Sequence, residues 1–294
     1  MKFLFCENIL KPNTADEAFL DEYLNAINNG FGVLFYNFEE KTLKNIDVNE
    51  KMETIIYRGW MITPKEYEIL YNKLLSKNYR LINNTAEYRN CHYLPESLKY
   101  IENYTPKTIF HKIEGENSIN TLIENAKIFN GKAVIVKDYV KSEKYYWDTA
   151  FYVENSSDTK KLTDTINNLI ELRENHLNEG IVIREFIKLN NIQKHSKSNI
   201  PLSEEYRLFF YKNELLCIFN YWEEIEYKMG KPDFNDFEVI GKNIESNFFT
   251  MDIAKDESGK YVIIELGDGQ VSGIPDNEDK NILYKKISER QTSA

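Results

Sequence analysis

Two β-rich runs near the carboxyl end constrain this chain more than any other feature: Phe248–Ala254 and Tyr261–Gly267, with Asp256-Glu257-Ser258-Gly259 between them. A turn-forming cluster between such runs predicts a β-hairpin. Each run carries one carboxylate, Asp252 and Glu265. With Ser258-Gly259 as a two-residue turn, Glu257 faces Lys260 and Asp252 falls directly opposite Glu265. A four-residue loop keeps the pair on one face, diagonally related; an odd or bulged loop separates them. Like charges so placed cost roughly 0.2–1 kcal/mol as a cross-strand pair unless a cation lies between them. Hard oxygen ligands filling part of a coordination shell are what Mg²⁺ uses when phosphates complete it. The same two residues also suit a solvated charged hairpin, and the hairpin alone does not choose.

Composition narrows the setting. A chain of 294 residues, 42% of them hydrophobic, buries a substantial core and is long enough for one large or two ordinary domains. Its 37 basic and 47 acidic residues give a net charge of −10, and no long Lys/Arg run offsets it, which disfavours a general nucleic-acid or acidic-membrane surface. The apolar run at the amino terminus is too short for a signal sequence, and no stretch approaches the roughly 18 apolar residues of a span. Cys6, Cys91 and Cys217 are widely spaced with no CxxC, which suits a reducing compartment and excludes a cysteine zinc site. The expectation is a cytoplasmic globular protein.

Residues 1 to about 105 read as an α/β unit. Strands are expected at Met1–Phe5, Gly32–Phe38 and Thr54–Tyr57, with an amphipathic helix over Ala15–Asn28. A second helix starts at Thr63-Pro64-Lys65-Glu66, with Thr63 as N-cap, Pro64 at N1 and Glu66 at N3. Gly30-Phe31-Gly32 follows a helix and stands alone, so no dinucleotide fingerprint is present. Arg58, in Tyr57-Arg58-Gly59-Trp60-Met61, sits where a strand ends at the ligand-binding edge of an open sheet, and is a candidate for gripping a carboxylate or phosphate. Arg89 and His92 lie three apart, close enough to share a helical face. All three residues also suit ordinary structural pairing.

From Thr105-Pro106 onward the character changes. Ser118–Phe129 predicts a helix leading into the buried strand Lys132–Asp138, whose Lys137 is held at the sheet edge in a position that suits a phosphate. Further strands are expected at Gly180–Ile187 and in a hairpin over Glu204–Phe219. Asn190–Ile200, with His195, reads as a polar exposed loop, and residues 222–242 give no functional reading.

The order of these segments, strand-Lys137, strand-Glu185-Phe186, Tyr206-Arg207-Leu208 hairpin, then Asp252 and Glu265-Leu266-Gly267-Asp268, resembles ATP-grasp enzymes. The spellings Arg58-Gly59-Trp60-Met61, Arg89-Asn90-Cys91-His92-Tyr93-Leu94-Pro95 and Lys137-Asp138-Tyr139-Val140-Lys141-Ser142 resemble the branch of that superfamily described by two arginines and a lysine. This resemblance implies an α+β ATP-grasp fold, two lobes gripping ATP, with an amino-terminal α/β domain over residues 1–105 and an ATP-grasp domain over 106–294, divided into a lid-side lobe (106–187) and a metal-binding lobe (188–294). It implies ATP and Mg²⁺ as cofactors, Asp252, Glu265 and Asp268 as metal ligands, and Lys137 on the nucleotide phosphates. Adenine would meet the backbone near Phe186 and Ile187, with Glu185 beside its amine or the ribose. Arg184 and Arg207 would be the branch's two catalytic arginines, Arg207 at the γ-phosphoryl group, and Arg58, Arg89 and His92 would face the substrate. The implied activity is ATP-dependent ligation of an unidentified carboxylate to an amine or thiol through an acyl-phosphate.

One departure bears on that reading. Most ATP-grasp enzymes follow the strand lysine with a glycine-rich lid, whereas Tyr139–Trp147 contains no glycine, leaving Lys141, Ser142 and Lys144 for the phosphates. A non-catalytic ATP-binding or protein-interaction module is therefore the alternative. A nucleotidyl ligase fits less well, because Lys137-Asp138-Tyr139-Val140 lacks the Lys-x-Asp-Gly spacing.

Overall fold

The computed structural model describes residues 1–292 apart from 45, 116, 195, 197–200, 226 and 228–231; the expected exposed His195 lies outside the described residues. Three larger sheets and one short ribbon organise the chain. The first sheet holds β1 (Lys2–Cys6), β2 (Gly32–Asn37), β3 (Thr42–Leu43), β4 (Glu53–Arg58) and β5 (Tyr79–Leu81) in the order β3-β2-β1-β4-β5. β1 pairs in parallel with both neighbours, and Phe3, Leu4 and Phe5 are wholly buried, as an apolar run with both faces covered requires. α1 (Leu20–Asn28) and α2 (Pro64–Leu75) connect its strands, and Thr63 and Glu66 close the expected capping box at the start of α2. Two helices that the sequence did not separate follow: α3 (Thr85–His92), capped by Asn84 with Glu87, and α4 (Leu94–Ile101).

The second sheet contains β6 (Thr108–Lys112), β7 (Val134–Asp138), β8 (Tyr152–Val153) and β9 (Gly180–Glu185), in the order β6-β9-β7-β8. Two helices, α5 (Asn117–Asn125) and α6 (Thr159–Arg173), cover one face through Leu122, Leu162, Ile166 and Leu169, which pack on Val134, Val136, Ile181 and Ile183. Alternation along the strands sends Ile135 and Lys137 of β7 and Arg184 of β9 to the other face.

A two-stranded ribbon, β10 (Asn191–Lys194) with β11 (Pro201–Ser203), precedes the third sheet. That sheet is fully antiparallel: β12 (Glu205–Tyr211), β13 (Glu214–Asn220), β14 (Phe248–Lys255) and β15 (Tyr261–Asp268), in the order β13-β12-β14-β15. Tyr206, Leu208, Phe249 and Met251 face a core shared with Leu94, Ile101 and Phe237, the last from α7 (Asn235–Gly241). On the opposite face Phe209, Phe219 and Phe248 pack with Phe3 and Phe5 of the first sheet and with Leu283 and Tyr284 of α8 (Asn281–Thr292). Among the described residues no helix is long and apolar enough to cross a membrane.

The β14–β15 hairpin reaches the expected register by an unexpected route. Its last paired residues are Lys255 and Tyr261, so the loop has five residues, held by Asp256, whose Oδ1 accepts from the Ser258 and Lys260 amides at 2.9 and 3.0 Å, and by Gly259 at φ +88°. Counted straight back from that loop, Asp252 would face Ile264. A bulge between Asp252 and Ile253 inserts Ile264 as an extra residue, and Asp252 pairs with Glu265. An odd loop and a one-residue bulge each reverse the facing of the strand, and together they cancel.

Candidate functional site

Arg207, Asp252 and Glu265 stand side by side across β12, β14 and β15. Arg207 grips Asp252 with both arms of its fork, Nε to Oδ1 at 2.8 Å and Nη2 to Oδ2 at 2.7 Å, and donates through Nη1 to the Gly273 carbonyl at 2.7 Å. Its guanidinium also lies over the Tyr221 ring, 4.9 Å from the centroid. Glu265 finds its cation in the other lobe, where Lys137 Nζ is 3.2 Å from Oε2. Burial opposes the Glu265 charge, but Lys137, Lys144 and Arg207 hold its carboxyl below the usual carboxylate range. Burial pushes Asp252 upward against the pull of Arg207, and the neighbouring Glu265 adds to the rise.

Arg184 serves the bulge. Its Nη1 donates to the Ile264 carbonyl at 2.5 Å and its Nη2 to the Ile263 carbonyl at 3.0 Å and to Thr105 Oγ1. An inserted residue leaves backbone groups outside the ladder, and this guanidinium takes up two of them. Arg184 Nε is buried without a hydrogen-bond partner among the described residues. Burial lowers the Arg184 pKa to about 10, with Glu265 opposing.

Asp138, fully buried, builds the turn after β7. Its Oδ1 accepts from the amides of Val140 and Lys141 at 2.7 and 2.5 Å, and its Oδ2 from Arg173 Nε at 3.1 Å and Asn178 Nδ2 at 2.9 Å. The turn directs Lys141 and Ser142 into a cavity of about 640 Å³ between the second and third sheets.

That cavity collects Lys137, Lys141, Ser142, Arg184, Arg207, Asp252, Glu265, Asp268 and His92 from among the expected site residues. The others are elsewhere. Arg58 is wholly buried in a pair with Glu22 (2.7 and 2.8 Å) and donates to the Ser272 carbonyl at 2.8 Å and to that of Gly269, so it holds the loop after β15 rather than a substrate. Arg89 is forked on Glu179 at 2.8 Å twice and bonds Glu96 at 3.1 Å, for the ordinary reason that three acceptor oxygens surround it. Glu185 pairs with Lys132 at 2.7 Å, and Phe186 packs its ring on Trp147 and Tyr152 while its amide donates to the Ala133 carbonyl at 2.9 Å. Glu185, Phe186 and Ile187 are outside the cavity lining. Asp268 reaches the cavity rim, but its carboxylate turns away: Oδ2 accepts from Asn83 at 2.6 Å, and Oδ1 from the Gln270 amide and side chain at 2.9 and 3.1 Å. A metal-ligand role for Asp268 would require breaking these bonds.

Among the described residues no group of three or more His, Cys, Asp and Glu is arranged for a metal. Asp252 and Glu265 nevertheless offer two opposed carboxylates on one sheet face beside a cluster of cations, which fits an ion that draws the rest of its shell from phosphates and water. Sequence reasoning missed Asp138, Tyr221 and Glu205, all at or beside the cavity. The Asp-Tyr-Val run after a strand signals a side-chain-capped turn; for Tyr221 and Glu205 the sequence carries no such sign.

A small, mostly parallel sheet, followed by two sheets that face each other across a cation-rich cavity with paired carboxylates on one of them, defines an ATP-grasp protein. The family model described as ATP-grasp domain, R2K clade family 3, matches residues 129–287, more than half of the chain, and the protein belongs to that family. Among solved structures the fold is similar to an ATP-grasp RimK domain protein from Sphaerobacter thermophilus (12% identity, 98% of each chain, TM-score 0.60). It is also similar to the D-cycloserine synthetase DcsG (10% identity, 99% of each chain, TM-score 0.60) and to the macrocyclase MdnC of Microcystis aeruginosa, bound to its precursor peptide MdnA (12% identity, 100% of each chain, TM-score 0.54). No curated protein matches the chain.

Proposed function

We propose that this protein is an ADP-forming ligase that joins a carboxylate to an amine. Family membership supports ATP as the energy source. The observation that carries the reading is the row Arg207, Asp252, Glu265 faced by Lys137 from the opposite sheet, because two carboxylates between two cations within one cavity suit a metal shared with phosphates. Lys137 and Lys141 would meet phosphate oxygens, and Ile135 and Ile264, which line the same cavity, would supply apolar walls for the base. A bound Mg²⁺ would be held by Asp252 and Glu265 and would neutralise charge on the transferring phosphoryl group.

In the first step a carboxylate oxygen attacks the γ-phosphorus and the β–γ bond breaks, giving an acyl-phosphate and ADP. The amine then attacks the acyl carbon, phosphate leaves, and the amine gives up a proton. Arg207, whose fork is held on Asp252, would stabilise charge that grows in the transition state, so its loss should lower kcat more than nucleotide affinity.

A binding module is the second reading, favoured by the turn at 138–141, where the Val140 and Lys141 amides that could cradle phosphate are bound to Asp138. Product analysis separates the two. Incubation with Mg·ATP and carboxylate–amine mixtures is expected to release ADP and phosphate only when substrate is present, and Arg207→Ala is expected to abolish this while still binding ATP. AMP and pyrophosphate would overturn the acyl-phosphate route, and nucleotide binding with no turnover on any mixture would favour the module.

A further inference from the structure

The ion pair that joins the two facing sheets is uneven. Lys137 Nζ lies 3.2 Å from Glu265 Oε2, and among the described residues no other carboxylate is within salt-bridge distance of it. The lysine side chain is 8% exposed and the glutamate 37%. Removing one partner of a buried pair leaves the other charge uncompensated, and the cost is greater for the group with less access to water. A cation that took Glu265 alone would isolate Lys137. An anion that took Lys137 alone would leave a carboxylate that water in the cavity still reaches.

The other charges act in the same direction. Asp252 has both oxygens on the Arg207 fork, at 2.8 and 2.7 Å. Glu265 Oε1 has no partner among the described residues, but a metal placed there would share its carboxylate with the Lys137 ammonium on Oε2. Lys137, Lys141, Lys144, Arg184 and Arg207 line the cavity against Glu205, Asp252, Glu265 and Asp268, five cations to four carboxylates even with every carboxylate ionised. Of those four, Asp268 is turned to Asn83 and Gln270, and Glu205 accepts from Trp222 Nε1 at 2.9 Å and from the Ser203 hydroxyl. A divalent cation arriving by itself therefore meets a surplus of positive charge, and a polyphosphate arriving by itself meets attraction.

We propose that Lys137 is the internal counter-ion of the metal site: it holds Glu265 until a polyphosphate anion draws the ammonium away, so the anion binds without metal and the metal binds only with the anion. Two pairs are exchanged together, ammonium to phosphate and carboxylate to metal, and no buried charge is left alone. Linkage makes the coupling reciprocal, the metal tightening the anion by the factor by which the anion tightens the metal. The inference rests on the ATP-site reading above and deepens it by assigning the order in which the site fills.

The test uses the whole protein, ADP as the polyphosphate and Mn²⁺ as the metal. In EDTA, calorimetry is expected to show ADP binding to the unaltered protein. Without nucleotide, Mn²⁺ is expected to leave its melting temperature unchanged, whereas Mn²⁺ with ADP raises it beyond ADP alone. These two measurements need no variant. Lys137→Met keeps the length of the stem and frees Glu265, and is expected to bind Mn²⁺ without nucleotide ten times or more tighter than the unaltered protein, read from the electron paramagnetic resonance of unbound Mn²⁺. Adding Glu265→Gln to Lys137→Met is expected to abolish that gain. ADP binding that requires metal, Mn²⁺ binding to the unaltered protein as tight as to Lys137→Met, or a gain that survives Glu265→Gln would each overturn the proposal while leaving the ATP-site reading in place. Failure of ADP to bind with or without Mg²⁺ would strike that reading, and the exchange with it.

Discussion

Glu265 stands between Lys137 and Asp252, and its ionisation depends on cations that belong to two different sheets. If it and Asp252 hold Mg²⁺, Glu265→Gln removes a charged ligand while keeping the shape, and Mg·nucleotide affinity is expected to fall at least tenfold with little change in metal-free nucleotide affinity; calorimetry with and without Mg²⁺ reads the difference. His92 allows a sharper test of environment. Its folded pKa of about 3 lies below the ordinary 6.5, so the unfolded chain takes up a proton as pH falls through 6.5 while the native protein stays neutral. The stabilising contribution is therefore complete above pH 6.5 and is lost as pH falls from 6.5 toward 3. His92→Phe is expected to flatten the melting-temperature profile between pH 6.5 and 4. A slope equal to that of the unaltered protein would show that the ring is protonated in the folded state.

At the scale of elements, the β14–β15 hairpin was legible in outline, because β-rich runs flanking a turn cluster give strands and their carboxylates. The pairing of Asp252 with Glu265 also follows from counting over a two-residue turn, yet the loop is five residues long and the register is restored only by the bulge at Ile264. Nothing local in Val262-Ile263-Ile264-Glu265 marks a bulge, since its carbonyls are met from afar by Arg184. The same limit explains Arg58 and Arg89: an arginine's position at a strand end or on a helix is readable, but Glu22 and Glu179, which take their charges, are remote in sequence. Arg184→Lys keeps the cation and loses the fork that spans two carbonyls. A buried polar group left unmet costs about 1–3 kcal/mol, so the variant is expected to melt earlier, with faster amide exchange over residues 262–266 and weaker Mg·nucleotide binding. Unchanged exchange there would show that the bulge holds itself.

Across the whole molecule, the ion pair between Lys137 and Glu265 joins two facing sheets, and a nucleotide between them would add contacts to both. A ligand bound only by the native state stabilises it by about 2.7 kcal/mol at a hundredfold excess over its Kd. ATP is accordingly expected to raise the melting temperature of the unaltered protein and not that of Lys137→Ala; an equal rise in both would make this lysine a bystander. The first sheet has a different relation to the site. The family match begins at residue 129, but Phe209, Phe219 and Phe248 within it share their core with Phe3, Phe5 and Phe31, and the loop from Asp268 to Ser272 is fastened by Asn83 and Arg58. The portion that carries the family signature is thus not a transplantable cassette. Recombination that joined it to a foreign amino-terminal half would inherit Lys137 and the paired carboxylates together with an apolar face that has lost its cover, so the first sheet and the two sheets that follow it would have to be inherited as one piece.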